Sequence, residues 1–190
     1  MSRMNRANSF PLDERAPPPG AVRRGEMLFN YAALCFQAWQ SCASCHPEGR
    51  VDGLNWDLMN DGLGNPRNTK SLLFAHATPP SMITGVRASA EQAVRAGITH
   101  IQFAVRPEEE AAAIDAYLKA MQPAPSPFLA GEARRAAAER GRAVFERAGC
   151  ADCHSGPHLT DLRLVDVGTG RERDAGVALD TPTLREVWRT

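Results

Sequence analysis

The sequence predicts a mainly α-helical protein built from two tandem modules, of which the second is truncated. A short segment occurs twice, as residues 24–29 (RGEMLF) and 140–145 (RGRAVF), each time ahead of a C-x-x-C-H pentapeptide. Repetition of this kind indicates two related structural units. No stretch shows the sustained alternation of apolar and polar residues that is typical of β-strands. The few residues after the second pentapeptide have a polar, loop-like composition, so the second unit lacks a closing helix.

The length and composition of the chain allow two small domains. It has 190 residues, 43% of them hydrophobic, with 22 basic and 22 acidic side chains. This balanced charge gives no reason to expect nucleic acid or an anionic membrane surface as a partner. No run of about twenty apolar residues occurs, so no membrane-spanning helix is predicted.

The individual elements follow from local patterns. A helix is expected after Pro107, because three glutamates follow it and apolar residues then recur with helical spacing up to Met121. Residues 132–147 are rich in alanine and arginine and are also predicted to be helical, whereas residues 49–70 are expected to form a long loop. The predicted organisation is a disordered segment (1–20), a first module (21–122), a proline-rich linker (123–130) and an incomplete second module (131–190).

The pentapeptides 42–46 (CASCH) and 150–154 (CADCH) have the spacing of covalent haem attachment. Two thiols one helical turn apart reach the two vinyl groups of a porphyrin, and the next histidine ligates its iron. Four cysteines could instead form a zinc site, and C-x-x-C alone a redox dithiol. Neither alternative explains why a histidine directly follows both pairs. We therefore predict two covalently bound haem c groups, held by Cys42, Cys45 and His46 and by Cys150, Cys153 and His154.

Covalent haem is normally attached outside the cytoplasm, so a periplasmic or otherwise exported protein is expected. Residues 1–20 contain neither the apolar region nor the cleavage site of a signal peptide. We therefore expect the chain to be an internal fragment, or its natural start to differ from Met1. The fifth cysteine, Cys35, lies in an apolar stretch and is expected to be buried.

The group opposite each iron decides whether it only carries electrons or also binds a small ligand. The candidate distal ligands in the first module are Met59, His76, Met82 and His100, and for each the competing interpretation is an ordinary hydrogen-bonded residue. After residue 121 the chain has no methionine, tyrosine or lysine, and His158 is too close in sequence to the proximal histidine to reach the opposite face. The second iron is thus either open or liganded from outside its module.

These motifs and their order resemble the bacterial di-haem cytochrome c peroxidase family, which includes the MauG-type enzymes. Within this family, the sequence is most similar to relatives in which the cytochrome part follows a β-propeller. This resemblance implies a fused or associated β-propeller. It further implies two cytochrome c-like domains facing each other, with a calcium ion between them near Asn68. The segments that carry it are residues 42–46, 64–72, 87–93, 150–157 and 181–185.

The resemblance also implies roles for particular residues. The first haem would react with peroxide, and the second would pass electrons to it. Gln92 matches the family's distal glutamine, whereas the family's catalytic glutamate falls near Gln102, so Glu91 or His100 would have to take its place. Arg87 would bind a haem propionate. The tryptophan expected between the haems is absent, because residues 83–86 occupy that stretch.

Two functions are predicted from these features. The first is a peroxidase-like oxidoreductase that reduces hydrogen peroxide or a related oxidant, with a small redox protein as electron donor. The alternative is a non-catalytic, periplasmic electron-transfer cytochrome in which both irons are six-coordinate. A third is a sensing module whose haem reports a ligand.

Overall fold

The computed structural model describes residues 17–58, 64 and 66–189. Most of the predicted disordered segment and the candidate ligand Met59 therefore lie outside the described residues. The α-helices in the described part are α1 (Ala21–Phe29), α2 (Cys42–Cys45), α3 (Ala90–Ala96), α4 (Glu108–Ala120) and α5 (Glu132–Arg147). The strands are β1 (Asn55–Trp56), β2 (Arg67–Asn68), β3 (Leu164–Val165) and β4 (Leu179–Asp180).

The prediction of a mainly α fold is confirmed. The strands have two residues each and form two antiparallel pairs, β1 with β2 and β3 with β4. The first pair interrupts the stretch 49–70, which was predicted to be a loop throughout. Short 3₁₀ turns connect most of the remaining elements. No helix in the described part of the chain has both the length and the apolar character needed to cross a bilayer.

Both predicted long helices are present. α4 begins directly after Pro107, and three glutamates in its first turn complement the positive end of the helix dipole. Its apolar side chains Ile114 and Leu118 are buried in the core. α5 has the predicted bounds, but none of its described residues is buried. Both helices thus form where the sequence predicts them, but α4 is packed into the core, whereas no described residue of α5 is buried.

The hydrophobic core forms where α1 crosses α4. Gly25 of α1 lies against the backbone of Ala113, and a Cβ placed there would come within 2.9 Å of the Tyr117 Cβ and closer still to the Ala113 carbonyl. One turn later, Phe29 packs against Tyr117 with 5.3 Å between ring centroids. Glycine therefore allows the two helix backbones to touch. The buried cluster consists of Phe29, Leu34, Ile98, Ala111, Ile114 and Leu118.

The repeat-equivalent glycine of α5, Gly141, has open space where its Cβ would stand. The buried apolar residues of the described chain all lie between Phe29 and Leu118, and none lies in α5 or after it. The prediction that Cys35 is buried is confirmed, since it is 4% exposed.

A buried polar network fastens α4 to its neighbours. The His76 Nε2–H donates to an Asp115 carboxylate oxygen at 3.0 Å, and an Arg95 Nη1–H donates to the other oxygen. The same guanidinium pairs with Glu108 at the exposed start of α4. Asp115 is only 5% exposed, so these two hydrogen bonds offset the free-energy cost of burying its carboxylate.

Replacing Asp115 by asparagine is expected to lower the free energy of unfolding by about 2 kcal/mol, because the buried His76 donor and the partly exposed Arg95 guanidinium lose a charged acceptor. Glu108→Gln is the matched control. Glu108 is the other carboxylate that pairs with the Arg95 guanidinium, and its side chain is exposed. Its replacement is therefore expected to leave the free energy of unfolding nearly unchanged. Urea denaturation of both variants tests the pair, and equal midpoints would contradict this account of the network.

The C-terminal part of the chain packs against the first module rather than standing apart from it. The Asp180 N–H donates to the Ile83 carbonyl at 2.7 Å, and Arg67 forms an ion pair with Asp174 at 2.5 Å. The His158 ring lies 4.7 Å from the Phe74 ring, between centroids. These contacts bring the two pentapeptide regions to a common interior.

Candidate functional site

Both pentapeptides adopt the same one-turn backbone. In each, the histidine N–H donates to the carbonyl of the first cysteine at 3.0 Å. The first turn is α2, whose start is capped by Ser41 and Ser44 in a reciprocal capping box. The second is a 3₁₀ turn preceded by Gly149, whose positive φ of 75° suits glycine. The turn places both thiols and the histidine of each pentapeptide within one short segment.

The two histidines are held in the same tautomer. His46 Nδ1 lies 3.2 Å from the Arg50 carbonyl oxygen, and His154 Nδ1 lies 3.1 Å from that of Leu159. Because a carbonyl oxygen only accepts hydrogen bonds, Nδ1 carries the proton in each ring. The Nε2 lone pair is then free to ligate a metal, which is the arrangement found in metal-binding histidines.

Burial keeps the groups of the first pentapeptide uncharged. It lowers the pKa of His46 and raises the pKa of Cys42 to about 11. The pKa of Cys45 is also raised by burial. Reactive dithiols and zinc-binding thiolates need the opposite shift in their cysteines. In the parts of the chain that the structure describes, no group of three or more His, Cys, Asp or Glu side chains is placed to hold a metal ion.

A cavity of about 570 Å³ opens beside the first pentapeptide. Cys42, Cys45 and His46 line one part of it. Apolar residues of the core also line it, among them Phe29, Leu73, Ile98, Ile114 and Leu118. The cavity can therefore enclose a large apolar group next to two thiols and an imidazole.

A second cavity of about 260 Å³ lies beside Cys153 and His154. Three apolar side chains complete it, from Val165, Val167 and Leu179. The remaining cysteine of that pentapeptide, Cys150, is exposed. The two cavities adjoin, because they share the lining residues Lys70, Ile83, Asp180, Thr181 and Pro182.

Only some of the residues predicted for the distal side reach the first cavity. Met82 lines it, as does Asn68, which pairs with Asn55 across β1 and β2. His76 is instead bonded to Asp115, and His100 is exposed. The calcium ion suggested near Asn68 stays a prediction.

The predicted catalytic and propionate-binding residues also lie outside the linings of both cavities. Gln92 is exposed, and its Oε1 accepts the Ala88 N–H at 3.0 Å. Glu91 forms an ion pair with Lys119 at 2.8 Å. Arg87 pairs in a β-bridge with Ser81, which lines the first cavity, but Arg87 itself does not belong to the lining. The structure thus does not bring Gln92, Glu91, His100 or Arg87 to the site.

The hydrogen bond from Lys119 lowers the pKa of Glu91 to about 2, so this carboxyl is ionised at any physiological pH. We expect a carboxyl ¹³C NMR titration to give a midpoint near that value. Lys119→Met should return it toward the ordinary glutamate value of about 4.3. A midpoint between about 6 and 7 in the unmodified protein would instead suit a proton-transfer residue.

Two residues that sequence patterns did not select do line the first cavity. Gln102 is 5% exposed, and its side-chain oxygen has no hydrogen-bond partner among the described residues. Asp180 lines both cavities and forms an ion pair with Lys70 at 2.7 Å, while burial raises its pKa. In the sequence, Gln102 was noted only because it lies near the position of the family's catalytic glutamate. Asp180 lies in a polar C-terminal stretch and belongs to no motif that carries a function.

Comparison with known proteins gave no matching family model. Hydrazine synthase subunit gamma of Kuenenia stuttgartiensis is 33% identical over 171 residues, which cover 79% of this chain and 48% of that protein. The chain thus spans about half the length of this curated relative. A structure of K. stuttgartiensis hydrazine synthase under xenon matches all of this chain and 83% of its own, with a TM-score of 0.77 and 26% identity.

A MauG-like protein associated with microbial copper homeostasis has the same fold. It matches 95% of this chain and 74% of its own, with a TM-score of 0.62 and 21% identity. The narrower assignment to di-haem cytochrome c peroxidases stays a prediction. The chain is therefore similar in sequence to hydrazine synthase subunit gamma and shares the fold of a MauG-like protein.

Proposed function

We propose that this chain is a c-type redox protein with two haem c groups. Cys42, Cys45 and His46 hold one, and Cys150, Cys153 and His154 hold the other. The observation that carries the proposal is the matching pair of Nδ1–H hydrogen bonds to backbone carbonyls, which frees Nε2 of both histidines. Haem supplies one-electron transfer and, where an iron position is open, binding of a small ligand.

The surroundings fit such a group at both places. The first cavity joins the two thiols to an apolar wall from the core, and burial of a large apolar group there is favourable. The second is smaller, and Cys150, the other cysteine of its pentapeptide, is exposed, which suits a group with one solvent-facing edge. Likeness to hydrazine synthase subunit gamma and to a MauG-like protein supports a redox role.

We further propose that the first site is the reactive one and reduces hydrogen peroxide or a related small oxidant. Gln102 lines this cavity, and its buried amide oxygen has no hydrogen-bond partner among the described residues, so it has an unused capacity to accept a hydrogen bond. Asp180 also lines this cavity, and its carboxyl, whose pKa burial raises, can hold or release a proton.

The alternative is an electron-transfer cytochrome without catalysis. Met82 favours it, because this residue lines the first cavity and its thioether could occupy the iron position opposite His46. Both versions include an exported location and a protein electron donor. The relative is one subunit of a synthase, so we propose that this chain also works in association with other chains.

The experiment is to produce the natively matured protein and measure its mass and visible spectrum. A chain carrying two haem groups with a Soret band is expected, and an unmodified, colourless chain would refute the proposal. Carbon monoxide and peroxide then separate the two versions. Reaction with either ligand in a Cys150→Ala/Cys153→Ala variant, where only the first haem is attached, indicates an accessible first site. A low-spin, inert first haem that gains carbon monoxide binding in Met82→Leu indicates the closed electron-transfer site.

A further inference from the structure

Arg50 contacts the first pentapeptide and the C-terminal part of the chain at once. Its carbonyl accepts the Nδ1–H of His46. Its guanidinium donates from Nε to Glu186 Oε2 at 2.7 Å and from Nη2 to Glu186 Oε1 at 3.1 Å. The same group also donates to the Glu48 and Gln122 carbonyls, at 2.9 and 3.0 Å. One residue therefore joins the proximal histidine to a partner 136 positions away.

The Arg50–Glu186 ion pair is buried. The side chains are 10% and 3% exposed, and the Glu186 carboxylate also accepts the Ala124 N–H of the proline-rich linker. Glu186 has a positive φ of 57°, a conformation that a non-glycine residue keeps only when its contacts determine it. A bidentate, desolvated pair of this kind fixes geometry more strictly than a surface pair.

Glu186 belongs to a segment that covers the first cavity. Residues 180–187, here called the strap, contribute seven of their eight side chains to the cavity lining, Glu186 being the exception. The far end of the strap is fastened by the Lys70–Asp180 ion pair and by the Asp180 N–H bond to Ile83. The strap is therefore held at Asp180 beside the second cavity and at Glu186 by Arg50. Between these points, the Thr183 hydroxyl and the Arg185 guanidinium donate to the carbonyls of His158 and Pro157.

We propose that Arg50 and Glu186 form a clamp that couples closure of the strap over the first cavity to the position of the His46 imidazole. This inference rests on the proposed function, because His46 is there the iron ligand. Arg50 is a positioning residue and does not touch the reacting atoms. Release of Glu186 removes the buried anchor of the strap and leaves a buried guanidinium without its carboxylate, so the Arg50 carbonyl that accepts the His46 Nδ1–H bond shifts.

The test compares Glu186→Gln with Glu48→Gln in the haem-loaded protein. Glu48 forms the neighbouring Arg189–Glu48 ion pair at 2.6 Å, which also links the two parts of the chain but is exposed. Hydrogen–deuterium exchange of the peptide covering residues 180–187 reports the strap. The reduction potential and spin-state bands report His46, and are read also in a Cys150→Ala/Cys153→Ala background, where only the first haem contributes.

Glu186→Gln is expected to speed exchange in the strap roughly tenfold and to shift the potential of the first haem, while Glu48→Gln changes neither. Arg50→Lys, which keeps the charge but loses the paired donors, is expected to act in the same direction and serves if Glu186→Gln does not fold. The clamp is refuted if hydrogen–deuterium exchange of the strap in Glu186→Gln and Arg50→Lys equals that in Glu48→Gln. It is also refuted if exchange in the strap speeds up while the reduction potential and spin-state bands of the first haem stay unchanged. A chain that carries no haem would overturn the proposed function and the coupling together, whereas a loaded chain with an unchanged strap overturns the clamp alone.

Discussion

Replacing Gly25 by alanine is expected to lower the free energy of unfolding by about 3 kcal/mol or more, because the added methyl group has no room. A Cβ at this position overlaps the backbone of Ala113 in the facing helix, and backbone cannot rotate away as a flexible side chain can. α1 must then separate from α4. Since Phe29 and Ile114 meet at this crossing, the core would open with it.

The repeat supplies the control. Gly141→Ala makes the same chemical change at the equivalent position of α5, where nothing lies within 4 Å of the new Cβ. Alanine is the better helix former by roughly 0.5–1 kcal/mol, so this variant is expected to be neutral or slightly more stable. Two identical substitutions should therefore act with opposite sign.

Chemical denaturation of both variants, haem content being checked in each, measures the contrast. Loss of stability only in Gly25→Ala supports the close helix crossing. Equal destabilisation of the two variants would show that Gly141 also faces a packed helix. Equal tolerance would show that α1 and α4 do not touch through their backbones.

Local patterns predicted those features that depend on neighbouring residues. α4 follows from a proline, three glutamates and an apolar stripe, and α5 from its alanine-rich composition. Burial of Cys35 follows from its apolar stretch. In each case the signal lies within about four turns of helix, where side-chain spacing translates directly into a surface.

The distal side of the first cavity could not be predicted in this way. After α3 the chain forms a π-helical turn, Gly97–Ile101, closed by the Gln102 N–H bond to the Gly97 carbonyl at 2.9 Å. A π turn holds one more residue than an α turn, so the faces that follow no longer keep the 3.6 period. As a result Gln102 is buried at the cavity, while His100, one of the candidate distal ligands, is exposed.

Contacts between residues that are far apart in the sequence could not be predicted from local patterns either. Lys70 and Asp180 stand 110 positions apart, and nothing local to either marks it as part of a shared wall. Asp180 reaches that wall because β4 pairs with β3, and two-residue strands are too short to show alternation. The adjoining cavities are thus a product of tertiary packing.

Removal of one cysteine pair at a time is expected to remove one covalently bound haem at a time. Cys42→Ala/Cys45→Ala should lose the haem at the first cavity and keep the second, and Cys150→Ala/Cys153→Ala should do the reverse. Mass spectrometry under denaturing conditions reports this directly, because haem held only by iron ligation dissociates. If the mass of either double variant still corresponded to two attached haem groups, attachment at that pentapeptide would be contradicted.

The two losses should differ in their effect on stability. The first cavity is walled by buried core residues such as Phe29, Ile98 and Leu118, so an unfilled space there removes the contacts of the principal core. The second cavity borders no buried apolar residue of the described chain. We expect the first double variant to lower Tm by roughly 10 °C or more, and the second by only a few degrees. Equal shifts in thermal unfolding would mean that the second haem has a core of its own, and that α5 is packed rather than exposed.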